Sequence, residues 1–271
     1  MDLSQAQVEA YQREGFLVIE QVFSPPEVAV LQAALPEITD PSRAKVGFDK
    51  VSGMVRLSHG AHLYNEAARR LSLHPKLVRP AQQLLGPEFH IYQSRLTIKP
   101  AAVGAAPTSG WSWHQDFTTW YRYDGMPEPR ALVTFTFLDD VTAANAPILA
   151  IPRSHHQGVF PTIREDAEEA EQPSDGYQAV EVKPELVREM AQRGGITALT
   201  GLAGTVAFMN CAVVHASGEN ISPLRRALFS VVFNPINNRP RHPRPKGEHW
   251  ISTNVVPVQP LADDCLLTIA N

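Results

Sequence analysis

The chain has 271 residues, with 24 Lys and Arg against 28 Asp and Glu, a formal charge of −4. At 44% hydrophobic and 19% charged it is too apolar for intrinsic disorder and lacks the basic surplus of a nucleic-acid binder. No run approaches the roughly 20 apolar residues of a membrane-spanning helix. Two cysteines, Cys211 and Cys265, are too few for a disulfide framework or a four-thiolate zinc site. The polar, acidic opening MDLSQAQVEA is unlike a secretory signal, so a cytoplasmic, reducing compartment is expected.

The N-terminal part, 1–87, reads as mainly helical. Asp2 or Ser4 can cap a helix running to about Arg13, which Gly15 stops. Phe16 to Glu20 reads as a strand. Ser24-Pro25-Pro26-Glu27 combines a capping serine, first-turn prolines and an early acid, and starts a helix that continues to Leu35. Further helices are expected over Asn65–Leu71 and Lys76–Leu85, the last ended by Gly86.

From residue 88 the texture changes. Phe89 to Lys99 alternates apolar and polar side chains, as a half-buried strand does. Trp111–His114, Arg130–Leu138, Ile148–Ile151, Gly204–Phe208 and Arg226–Asn234 read likewise. Short strands punctuated by Pro and Gly predict an antiparallel sandwich or jelly roll over 88–235. No linker divides the chain, so 1–271 is expected to be a single domain. Residues 161–195 form an insertion with an acidic run, Arg164–Gly176, read as solvated surface, and a helix over Pro184–Arg193. Residues 236–271 are a tail.

His114-Gln115-Asp116 is the first chemical signal. On a strand, residues i and i+2 share a face, so both side chains can meet one ion. Alone the pattern means little, since composition predicts about 0.4 such matches by chance. It gains weight from its aromatic surroundings, Trp111 to Trp120, and from His215 and Arg226 downstream. Two His and one carboxylate on one face of an iron leave its other face open, as in non-heme Fe(II) oxygenases. An Arg fork suits a dicarboxylate co-substrate.

With these residues in view, the chain resembles the iron(II)/2-oxoglutarate-dependent dioxygenases of the phytanoyl-CoA dioxygenase superfamily. Within it, the likeness is closer to the ectoine hydroxylase and free L-leucine hydroxylase group. The resemblance is carried by Tyr92-Gln-Ser-Arg-Leu-Thr-Ile-Lys-Pro100, Trp113-His-Gln-Asp-Phe117 with Trp120, and Asp124-Gly-Met-Pro127 with Arg130. Val141-Thr142 with Asn145 and Pro147, Ile151-Pro-Arg-Ser-His155, and His215-Ala-Ser-Gly-Glu-Asn-Ile-Ser-Pro-Leu-Arg-Arg226 complete it. It spans roughly residues 8 to 235.

The resemblance implies a mainly β fold with flanking α: a double-stranded β-helix (jelly roll, cupin-like) core with N-terminal helices. It assigns Fe(II) to His114, Asp116 and His215, and the distal carboxylate of 2-oxoglutarate to Arg226. Arg225 is the adjacent rival, on the opposite strand face. Gln93 and Thr97 are implied at the co-substrate, and Arg95 and Trp120 at the substrate; Trp120 reads equally as a core or lid aromatic. O2 is the second co-substrate. The intact Asp116 favours hydroxylation over halogenation, which in relatives goes with a small residue there.

Departures from the ectoine enzymes are Gln115 for Ser, Thr118 for Glu, Thr97 for a common Asn, and Val133 for a small polar residue. Ala146 stands where a turn glycine is usual. The expected reaction is hydroxylation of an unactivated aliphatic C–H in a small amino acid or related zwitterion, with release of succinate and CO2. The alternative is oxidative tailoring of a larger natural-product scaffold. Arg130 and the acidic run are further candidate charges for holding substrate. The expected partner is a small-molecule substrate, with no nucleic acid or membrane, and the oligomeric state is left open. His155 reads as a structural hydrogen bonder, Asp139 and Asp140 as facing water, and His242 and His249 as surface residues.

Overall fold

Local signals set the N-terminal elements. Helix α1 (Gln5–Glu14) opens with a capping box: Ser4 Oγ accepts from the Gln7 N–H, and Gln7 Oε1 accepts from the Ser4 N–H. It ends at Gly15, whose φ of +86° is left-handed. Strand β1 (Phe16–Ile19) follows, then α2 (Pro25–Ala33), where Glu27 accepts from the backbone and hydroxyl of Ser24. A short turn of helix, α3 (Leu35–Ile38), leads to β2 (Lys45–Phe48) and β3 (Val55–His59). Helices α4 (Glu66–Ser72) and α5 (Pro75–Leu85) are capped by Asn65 and His74. Then come β4 (Phe89–Lys99), β5 (Trp111–His114), a single turn α6 (Asp116–Thr119), β6 (Leu132–Phe137) and β7 (Ile148–Ala150). Helix α7 (Pro184–Gly194), β8 (Thr197–Leu199), β9 (Val206–Asn210), β10 (His215–Ser217) and β11 (Arg226–Pro235) complete the order. These elements come from a computed structural model that describes residues 1–42, 45–49, 52–102, 110–163, 181–241 and 255–269.

The strands form two antiparallel sheets. The larger has seven strands in the order β1-β9-β6-β11-β4-β3-β2, the smaller four, β5-β10-β7-β8. They face each other as a jelly roll. Between them lies a core of Val133, Phe135, Phe137, Met209, Leu228 and Val232 from the large sheet against Ile148, Ala150 and Leu199 from the small one. The other face of the large sheet packs Leu132, Phe208, Phe229 and Val231 against Leu31, Leu71, Leu77 and Val78 of the helices. Strand β11 is therefore buried at all ten positions. That explains its near-continuous apolar run, which is the pattern of a strand covered on both sides.

Two findings add to the sequence reading. The N-terminal part is mainly helical and also supplies β2 and β3, which extend the large sheet beyond β4. Their short sequences, KVGF and VRLSH, carry few apolar residues, as suits the margin of a sheet. The described ends of the 161–195 insertion are packed, and the expected helix forms as α7. Val182 joins Val187 and Met190 of α7 in an apolar cluster with Ile151, Phe160 and Val214. The acidic run Arg164–Gly176, His242 and His249 lie outside the described residues. Val258 and Leu266 of the tail join the core beneath the helices. Among the described residues no helix is long and apolar enough to cross a membrane.

Ala146 and Gly204 both have positive φ, for different reasons. Ala146 keeps a φ of +60° although it is not glycine. Asn145 enforces that turn: its Oδ1 accepts from Thr142 and its Nδ2 donates to the Asp140 carbonyl. Gly204, with φ +91°, lets the chain pass against α2, where the Phe23 N–H donates to the Gly204 carbonyl. A Cβ there would stand 2.2 Å from the Phe23 oxygen. Gly204→Ala is accordingly expected to destabilise the protein by about 2–4 kcal/mol, from the clash and the positive φ together. Chemical denaturation checks this; an unchanged midpoint would contradict the packing described.

Candidate active site

His114 ends β5 and His215 begins β10, and the two are cross-strand partners in register. Cross-strand partners share a face, so the imidazoles meet with ring centroids 4.2 Å apart. The backbone bends after His114: Gln115 is extended and Asp116 starts α6. The Asp116 carboxylate thereby turns back, with Oδ1 3.9 Å from His114 Nε2. One donor atom from each of His114, Asp116 and His215 lies within 4.8 Å of the others, and all three residues are buried. No other such group of three occurs among the described residues.

The main chain presets these donors. His114 Nδ1 is 2.6 Å from the Ser112 carbonyl, and His215 Nδ1 is 3.0 Å from that of Val213. Each ring therefore carries its proton on Nδ1 and presents Nε2 as a lone pair, the arrangement a ligating histidine needs. Burial, reinforced by His215, lowers the His114 pKa to about 3, and burial also lowers that of His215. Both rings are neutral at neutral pH. For Asp116, burial pushes upward, but the charge of Arg95 and its hydrogen bond outweigh it and hold the carboxyl below its usual range. Arg95 Nη2 lies 3.3 Å from Asp116 Oδ1.

A cleft opens beside these residues. Arg226 lies on its wall, on the inner face of the large sheet, with Thr97, Arg95 and Ser230. Phe135, Ile148 and Trp111 supply apolar surface. Arg226 is buried and its Nε has no hydrogen-bond partner among the described residues. Burial, then the nearby Arg56, brings its pKa down to about 9. A buried guanidinium with an unfilled donor is a receptor for an anion, because leaving that donor unpaired costs free energy. Arg225 is otherwise engaged: its guanidinium makes a two-pronged contact with Asp139 at 2.7 and 2.9 Å.

Other sequence expectations fare unevenly. Trp120 does not line the cleft; it is fully buried in the inter-sheet core, edge-on to Tyr92 at 5.2 Å. The winding of Trp120–Asp124 as a π turn puts it there, and Tyr92 in turn donates to Asp124. Gln93 shares the β4 face of Arg95 and Thr97 but does not line the cleft; it is buried, and neither amide atom has a hydrogen-bond partner among the described residues. Arg130 points away from the cleft and pairs with Glu128 and Asn237. Asp139 and Asp140 do not simply face water, since they accept from Arg225 and from the Ala203 N–H. His155 and His156 face the carbonyls of Gln12 and Arg13, a structural role. Ser230, Phe135 and Ile148 were not singled out by sequence. Their strands were legible, but nothing in an apolar or hydroxyl side chain signals which cleft it faces.

The fold and this geometry agree with comparisons to known proteins. Residues 11–228 match the family model for phytanoyl-CoA dioxygenase. The L-proline trans-4-hydroxylase of Streptomyces griseoviridis is 34% identical over 261 residues, covering 94% of this chain and 95% of that one. The ectoine dioxygenase of Bordetella parapertussis is 36% identical over 262 residues, 91% of this chain and 82% of the relative. The crystal structure of EctD from S. alaskensis with 2-oxoglutarate and 5-hydroxyectoine superposes with a TM-score of 0.76 at 32% identity, covering 90% and 82%. By its fold, its converging donors and these matches, the chain belongs to the phytanoyl-CoA dioxygenase family and is an iron- and 2-oxoglutarate-dependent dioxygenase.

Proposed function

We propose that this dioxygenase hydroxylates an unactivated aliphatic C–H bond of a small amino acid or related zwitterion. The observation that carries the reading is the meeting of His114, Asp116 and His215 within 4.8 Å on a cleft whose wall presents the buried Arg226. The donor set suits Fe(II): two neutral imidazoles and one ionised carboxylate on a single side, with the cleft side open. His114, Asp116 and His215 would hold the metal, and Arg226 would grip the distal carboxylate of 2-oxoglutarate through its fork. When bound, the iron with 2-oxoglutarate and O2 supplies the oxidation, yielding succinate, CO2 and a hydroxylated carbon.

The protein's own contribution is placement. Arg95 keeps Asp116 ionised and presents part of its guanidinium to the cleft, where it can meet a substrate carboxylate. Thr97 and Ser230 add hydroxyls near Arg226. Phe135 and Ile148 keep the floor dry, which strengthens every charge interaction inside. The likeness to enzymes acting on proline and ectoine supports the proposed substrate class. The test is turnover with Fe(II), 2-oxoglutarate and O2 across free amino acids and cyclic zwitterions. Succinate release above the uncoupled background, with a product heavier by one oxygen, is expected for at least one of them. Turnover confined to acyl-CoA thioesters or large scaffolds would overturn the substrate class.

A further inference from the structure

Gln115 separates two of the three proposed ligands, yet its side chain serves neither directly. On extended backbone its side chain points away from the one before it, so it leaves the face of His114. It is fully buried. Its amide is saturated. Nε2 donates to the carbonyls of Gly158 at 2.8 Å and Ala212 at 2.7 Å. Oε1 accepts from the Phe160 N–H at 3.0 Å and from Thr118 Oγ1 at 3.3 Å. Two donors and two acceptor sites are all that a glutamine has.

The partners give this network its meaning. Ala212 adjoins Val213, whose carbonyl fixes the ring of His215. The same turn is tied to α6 by the Phe117 N–H donating to the Cys211 carbonyl at 3.0 Å. Gly158 and Phe160 belong to the segment leading from the β7 end of the small sheet toward the Thr162–Val182 bridge. One side chain thus joins three segments: the backbone holding His114 and Asp116, the turn that aims His215, and the loop packed behind both.

We infer that Gln115 is a positioning residue of the metal centre, setting the register of the His114–Asp116 pair against His215. The inference rests on the assignment of the metal to that trio. Gln115→Glu keeps the length and the acceptor oxygen but sets a carboxylate against the Gly158 and Ala212 carbonyls. Its dissociation constant for Fe(II) is expected to rise about ten- to a hundredfold, the usual effect of losing an outer partner of a metal site. The visible charge-transfer band of the Fe(II)–2-oxoglutarate complex should weaken in parallel at unchanged circular dichroism. Thr118→Val, which removes one bond from the far side, should stay within about twofold of the parent.

A folded Gln115→Glu protein binding Fe(II) as tightly as the parent overturns the inference. A parent that binds no Fe(II) overturns the metal assignment instead. A measurement on the parent itself is independent of any variant's folding. Coupling is reciprocal, so loading with Mn(II) must tighten the Gln115 network. Hydrogen exchange at the Phe160 amide is expected to slow several-fold on loading, and more than at Val258 of the tail, which donates to the Phe89 carbonyl of β4. Equal response at the two amides refutes the role.

Discussion

Replacing Arg226 with methionine is expected to raise the KM for 2-oxoglutarate by about thirty- to several-thousandfold, while Fe(II) binding persists. The estimate follows from about 2–5 kcal/mol for removing one member of a buried, hydrogen-bonded charge pair, with tenfold per 1.4 kcal/mol. Arg226 is buried on the cleft wall, and Arg225, its neighbour, is held by Asp139 and cannot take its place. Arg226→Lys should fall between: it keeps the charge but loses the planar fork. Calorimetric titration of 2-oxoglutarate into the Fe(II)-loaded protein checks this. Parental affinity in Arg226→Met would remove the diacid anchor from the proposal.

The second large effect is expected at Asp116. Asp116→Ala should lower turnover at least about a thousandfold and leave the protein without metal after dialysis, because it takes away the one anionic donor of the trio. It should also destabilise the metal-free fold. Arg95 holds that carboxyl ionised, and loss of the carboxylate strands the Arg95 guanidinium beside two imidazoles in a buried site. Breaking a buried pair in this way costs about 3–5 kcal/mol. Metal content, succinate release and thermal unfolding report the three effects separately. A metal-retaining, active Asp116→Ala protein would refute the ligand set.

The parts of this architecture written in short-range chemistry could be read from sequence. Ser4 and Ser24 announce their helices because a cap is a contact across three residues. Strand β4 is legible because eleven residues give the alternation room to show. Strands β8 and β10, with three residues each, are too short for any period. The donor trio stood out only through three residue types in a resembling motif. Its convergence depends on a pairing of β5 with β10 that joins residues a hundred positions apart. Trp120 shows the opposite limit. Its place in the motif fits a substrate wall and a core aromatic equally, and the π turn with Tyr92 behind it decides for the core. Gln115 carried no signal as a clamp, since its partners Gly158, Phe160 and Ala212 lie 43 to 97 residues away.

The two halves of the proposed centre stand on unequal ground. His114 sits on β5, the outer strand of the small sheet, backed beyond by an isolated bridge to Glu181. Arg226 begins β11, which is flanked by β4 and β6 and buried throughout. Margins of sheets open locally at far lower free energy than interior strands. A chelator should therefore extract iron by fraying of that margin, without global unfolding. The expected product of stripping is an intact barrel that keeps Arg226 in place and can be recharged with another divalent ion.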